Sequence, residues 1–75
     1  MDRTQFIDWA IRGALGWLDR DRPGIALFTF QQHLEQYPNF ALSWYAEKGI
    51  FMAEADLLET PEQVRAYIEG LRDVP

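Results

Sequence analysis

His33 is the only histidine in the chain, and an imidazole that catalyses or binds metal needs partners. Glu35 is near in sequence but falls on another helical face, and the chain has no cysteine. His33 therefore reads as a packed or half-exposed helix residue. Ser43, the only serine, has no Gly-x-Ser-x-Gly context, and Thr60 reads as a helix cap. Glu54, Asp56, Glu59 and Glu62 carry the oxygens a divalent cation takes, but their spacing gathers no set of them on one side. They read as a solvated acidic rim. Gly13-Ala-Leu-Gly16 lies inside a helical pattern rather than after a strand, so it is no phosphate loop. These absences point to a non-enzymatic protein with no cofactor and no metal.

Charge narrows the partners. The net charge is -5. Residues 1–40 hold five acids and four bases, whereas residues 41–75 hold seven acids and three bases. Arg3, Arg12, Arg20 and Arg22 beside Trp9 could form a basic face. Asp2, Asp8, Asp19 and Asp21 accompany them almost one for one, so a salt-paired surface is expected. Direct nucleic-acid binding, which relies on phosphate neutralisation, is not expected. No apolar run reaches the roughly 20 uncharged residues of a membrane span, and no basic N-terminus leads into one. A cytoplasmic protein without a membrane partner is the expectation.

The elements that must position these residues are all helical. At 75 residues the chain has room for one domain, residues 1–75, near the lower limit for independent folding. It offsets small size with apolar mass: 48% of residues are hydrophobic and 15% aromatic. The first helix starts near Asp2 or Thr4, with Asp2 and Gln5 placed as a capping box. Phe6, Ile7, Ala10, Ile11, Ala14, Leu15, Trp17 and Leu18 make its apolar face. Asp8 and Arg12 lie four apart on the other side. Gly13 and Gly16 suggest close approach of another backbone, the favoured reading, or a loosely ending helix.

Asp19 to Gly24 is a break, with Asp21 or Arg22 capping the second helix and Pro23 at its first position. That helix runs to about Tyr37, its inward face being Ala26, Leu27, Phe30, His33, Leu34 and Tyr37. Ile25 and Phe28 fit that face poorly and suit a second contact, with helix one or with another molecule. Pro38 stops it, and Asn39 caps the next helix, expected over 39–58. Apolar residues run around most of that third helix, with only Ser43, Glu47 and Glu54 as a continuous polar line. Such a helix is usually buried between neighbours. It is expected at the centre of the molecule. Thr60, Pro61 and Gln63 give a strong start signal for a fourth helix with Val64, Tyr67, Ile68 and Leu71 as its stripe. The expected fold is all-α: four short antiparallel helices in two helix-turn-helix hairpins around a central apolar helix.

Ala14 and Trp17, then Ala26 and Phe30, then Pro38, resemble a tetratricopeptide repeat, a helical hairpin of about 34 residues. Trp44 lies 34 residues after Ala10, where a next unit's leading Trp falls, and Phe51 comes after it at an aromatic place. His33 departs from the pattern at a position usually small, and Glu47-Lys48 stand where Leu-Gly is typical. The resemblance implies a protein-binding scaffold. Two hairpins would leave an apolar edge for a partner or a second copy, since repeat stacks need about three units.

The resulting expectation is a small protein-interaction module, an adaptor or masking protein that self-associates as a homodimer. Trp9, Phe28, Tyr45 and Met52 are its candidate contact residues, with Glu54 and Asp56 as acidic ones. One alternative is a small acidic inhibitor of phage or mobile-element type that blocks a nucleic-acid-binding host defence protein. Another is a minor structural subunit of a larger assembly.

Overall fold

The computed structural model describes residues 2–37 and 40–74, with Phe40 described by its backbone alone. Pro38 and Asn39, expected to end helix two and cap helix three, lie outside the described residues. The described chain is all-α: α1 (Arg3–Leu18), α2 (Pro23–Glu35), α3 (Phe40–Glu54), α4 (Pro61–Glu69) and a closing 3₁₀ turn (Gly70–Asp73). No described residue is in a strand.

Both expected capping boxes form. The Asp2 carboxylate accepts the Gln5 N–H at 2.8 Å, and the Gln5 side chain accepts the Asp2 N–H at 3.1 Å. At α4, Thr60 Oγ1 accepts the Gln63 N–H at 3.1 Å, and Gln63 Oε1 accepts the N–H groups of Thr60 and Glu59. Each box satisfies N–H groups that a helix start otherwise leaves without partners. Pro23 opens α2 as expected, but Arg22 precedes it without a side-chain cap bond.

Asp21 is occupied in closing α1. It takes a left-handed φ of 59°, its N–H donates to the Leu18 carbonyl, and the Arg22 N–H donates to the Trp17 carbonyl. The same device ends α3 at Glu54, four residues short of the expected Leu58. Asp56 has φ 61°, its N–H donates to Ala53, and the Leu57 N–H donates to Met52. This paired 6→1 and 5→2 pattern usually has glycine at the left-handed position. Aspartate tolerates that conformation better than most side chains. The chain then turns Leu58 back into the core. Helix α2 likewise stops at Glu35 rather than Tyr37, but the Tyr37 ring still packs on Phe6, with centroids 4.6 Å apart.

Helix α3 is not the centre. The core is built on the α1–α2 hairpin, from Phe6, Ile7, Ala10, Ile11, Ala14 and Leu18 against Ala26, Phe30 and Leu34. Helix α4 closes it with Val64, Tyr67 and Ile68, then Leu71 just beyond. Helix α3 packs on this body by one face, through Leu42, Tyr45, Ala46 and Gly49. Its Trp44, Ile50 and Phe51 remain exposed. An evenly apolar circumference can mean burial on all sides or one buried and one unpartnered face, and α3 is the latter.

Tyr45 of α3 and Tyr67 of α4 clasp one another. Their rings stack at 4.9 Å with 5° between planes. The Tyr45 hydroxyl donates to the Tyr67 carbonyl at 2.5 Å, and the Tyr67 hydroxyl donates to the Tyr45 carbonyl at 2.7 Å. Phe30 meets both rings edge-on. Two glycines make the exchange sterically feasible. A Cβ on Gly49 would overlap the Tyr67 hydroxyl, and one on Gly70 would lie 2.6 Å from the Tyr45 hydroxyl.

Gly13 and Gly16 differ from this, and the expected close backbone approach is not observed. Gly13 faces the His33 ring, and nothing lies within 4 Å of a Cβ built on Gly16.

Gly49→Ala is expected to destabilise the fold by about 2 kcal/mol through overpacking and loss of the hydroxyl contact. Gly16→Ala is expected to stabilise it by about 0.5–1 kcal/mol. Urea denaturation of the two variants beside the parent measures the contrast, and equal effects would count against the clasp. Asp21→Gly and Asp56→Gly are each expected to raise stability by about 0.5–1 kcal/mol, because glycine removes the left-handed strain and a negative charge at a helix C-terminus. Their denaturation midpoints provide the check.

Candidate functional site

The outer face of α3 carries Ala41, Trp44, Lys48 and Phe51, spaced three and four residues apart, with Ala55 just beyond its end. Because the inner face is spent on the core, this stripe is left to solvent: Trp44 is 53% and Phe51 68% exposed. Met52 is half-buried at its edge. The reversal after α3 adds Leu57, 51% exposed. Isolated exposed apolar residues are ordinary, but a contiguous patch marks a contact surface.

Three shallow grooves adjoin on this face. One, of about 610 Å³, lies between Trp44, Tyr45 and Lys48 of α3 and Gly70, Asp73 and Val74 at the chain's end. A second, of about 360 Å³, lies among Trp44, Phe51, Met52 and Leu57. The third, also about 360 Å³, runs from Met52 and Leu57 to Gln63, Ala66 and Tyr67 of α4. Lys48 borders all three.

Lys48 is the only lysine. Its ammonium sits 5.7 Å from the Trp44 ring centre and 5.5 Å from that of Tyr45, within range of cation–π attraction. Among the described residues it forms no ion pair. The arginines differ. Arg12 and Arg72 share Asp8 at 2.9 and 3.1 Å, and Arg65 reaches Asp19 at 3.3 Å. Arg3 donates to the Val74 carbonyl, and Arg20 lies over Trp17. In the ion pairs among the described residues, only Arg12 of the four first-half arginines joins one of the matched Asp residues. Asp8 and Asp19 are instead reached by Arg72 and Arg65 from the second half, so the expected salt pairing within the first half forms only in part.

Burial raises the phenol of Tyr67 well above its ordinary value, helped by the Tyr45 hydroxyl beside it and partly opposed by the Gly49 backbone. Burial, then the nearby Asp73 carboxylate, raises that of Tyr45. Both rings underlie the grooves as neutral, fixed walls.

The expected contact residues are scattered. Phe28 is 63% exposed on α2, in keeping with its poor fit to the inward face, and Ile25 is also exposed. Trp9 is partly exposed and stacks on His33, with ring centres 4.1 Å apart. Neither Trp9 nor Phe28 lines the grooves. Tyr45 must be corrected: it is only 6% exposed and belongs to the clasp, so its ring floors the face rather than projecting from it. Met52 does line the face. Glu54 and Asp56 are exposed at the end of α3 without lining the grooves. Trp44, Lys48, Phe51 and Leu57 were not among the expected contacts. Their signal was the charge of Lys48 inside an apolar stripe, since an unpaired ammonium there argues against burying that side.

His33 is the packed helix histidine that its isolation suggested. Burial lowers its pKa, and its Nδ1 is buried without a hydrogen-bond partner. Among the described residues, no His, Asp and Glu side chains gather to hold a metal, and no helix is long and apolar enough to cross a membrane. No family model matches this chain, and neither a curated protein nor a solved structure matches it.

The raised phenol values make stability fall at alkaline pH. Below about pH 10 folded and unfolded chains both keep these protons; above it the unfolded chain releases them first, so deprotonation favours unfolding. Urea denaturation at neutral pH and at about pH 11 is expected to show a loss of stability that the Tyr45→Phe/Tyr67→Phe variant largely escapes. An equal loss in that variant would place the alkaline sensitivity elsewhere.

Proposed function

We propose that this chain is a small non-enzymatic protein-interaction module, an adaptor or masking protein, that docks through the outer face of α3. The observation that carries this reading is the contiguous exposure of Trp44, Phe51 and Leu57 along connected grooves. Aromatic side chains on a rigid element supply much of the energy of protein interfaces. The tetratricopeptide-like reading is in keeping with it. Ala14, Ala26 and Phe30 are fully buried within the first hairpin, while Trp44 and Phe51 stand open where a further element would pack. Either another protein or a second copy of the chain could cover that edge. A cysteine-free chain suits a reducing compartment, and we take the cytoplasm as its setting.

A second reading has its own support. Glu54, Asp56, Glu59 and Glu62 are exposed, and none makes an ion pair among the described residues. Such a free acidic edge suits an inhibitor that occupies the basic groove of a nucleic-acid-binding protein.

One experiment separates the two readings. The immobilised chain and its Trp44→Ser/Phe51→Ser variant are used to capture partners, and light scattering tracks self-association over a range of concentrations. The variant is expected to keep its helical circular dichroism and lose binding by at least about tenfold, with little salt sensitivity. Binding that survives the double change, weakens steeply with salt and depends on Glu54 and Asp56 would favour the acidic inhibitor. A monomer that captures nothing specific would remove the support for both.

A further inference from the structure

We infer that the partner segment received by the α3 face is an amphipathic helix with one carboxylate inside its apolar stripe, and that this carboxylate pairs with Lys48. The inference rests on the docking role proposed for that face. Ala41, Trp44, Lys48 and Phe51 succeed one another along α3 at intervals of three, four and three, the spacing that forms a straight seam between paired helices. Helix α3 is 15 residues long, about 22 Å at 1.5 Å per residue, which matches four turns of a partner helix. Ala41 at the start of the stripe and Ala55 just beyond its end leave room for a second backbone to approach.

Lys48 determines the chemistry. It occupies a seam position, and its ammonium is held above two aromatic rings. Among the described residues it has no carboxylate partner. A wholly apolar helix laid over the face would strip water from that ammonium and supply nothing in return. A partner Asp or Glu at the facing position would supply the missing charge and select the register, as polar residues at seam positions do. A second copy fits less well. The same face would present another Lys48, and Glu47 and Asp73 border the grooves outside the seam. Nucleic acid is disfavoured by the net charge of -5.

The probe is a phage-displayed library of helical peptides with randomised seam positions, selected on the whole protein. Enriched peptides are expected to place one Asp or Glu within an apolar stripe of three-four spacing. A synthetic peptide of that kind should bind about tenfold more tightly than its Gln analogue, and Lys48→Met should erase the difference while leaving the circular dichroism unchanged. Enrichment without acidic residues, or a Glu-over-Gln preference that survives Lys48→Met, overturns the inference. The docking face itself would still stand if Trp44→Ser/Phe51→Ser abolished binding. No enrichment from a chain that stays monomeric, or binding indifferent to the double change, defeats the docking role and the inference together. Doubling of the molar mass with no peptide selected assigns the face to a second copy and overturns the acidic-helix partner.

Discussion

The exchange of hydroxyl and carbonyl between Tyr45 and Tyr67 is the contact on which the arrangement of α3 depends. A 75-residue chain without cysteine has no covalent means of fixing a helix that packs by one face only. The clasp supplies a directional bond in each direction and a stacked pair of rings, all inside the core. Among the described residues no charged or strictly polar side chain is buried, so these hydroxyls are the main polar groups that the core side chains must satisfy. Each is satisfied by the other tyrosine's backbone. Buried hydrogen bonds of this sort add modest net stability but make alternative packings expensive, because any slip strands two donors. The outer face of α3 is consequently displayed in one orientation rather than over a range of them.

The beginnings of α1 and α4 were legible and the end of α3 was not, for a physical reason. A beginning is announced by a side chain that bonds its own backbone locally, and Asp2 with Gln5 and Thr60 with Gln63 carry that information within four residues. The ends of α1 and α3 are both closed by backbone conformation at Asp21 and Asp56, but only that of α1 was announced, by the charged break that opens at Asp19 and runs into Pro23-Gly24. Aspartate there lacks the signal that glycine gives. Its left-handed geometry is favoured by the next stretch of chain, which must seat Pro23 after one turn and Leu58 after the other. Helix α2 offers a milder case, where Tyr37 continues the apolar pattern and the packing although the helix has already stopped.

Little of the candidate site was legible: of the expected contact residues only Met52 lines the face as one, and Ile25 and Phe28, though exposed as read, lie away from it. Ile25 and Phe28 stood out because they broke the pattern of a helix whose buried side was otherwise clear. In α3 no such contrast existed, since apolar residues surround it, and periodicity alone cannot say which side is covered. Lys48 held the answer, as a charge on one apolar stripe with no carboxylate where a helix could pair it well. Tyr45 misled because aromatic contact residues and aromatic core residues look alike until a hydroxyl partner is known, and its partner lies 22 residues away.

The clasp also constrains how this chain can vary through descent. Four positions are locked as a set: Tyr45 with the glycine four residues later, and Tyr67 with the glycine three residues later. Losing one tyrosine leaves a void and frees the opposite glycine to change, while changing a glycine first evicts a ring. Substitutions at these sites must therefore arrive together or in a narrow order. Diverged kin would keep the Tyr-x-x-x-Gly and Tyr-x-x-Gly pairs, or exchange both, long after the surface around them had become unrecognisable.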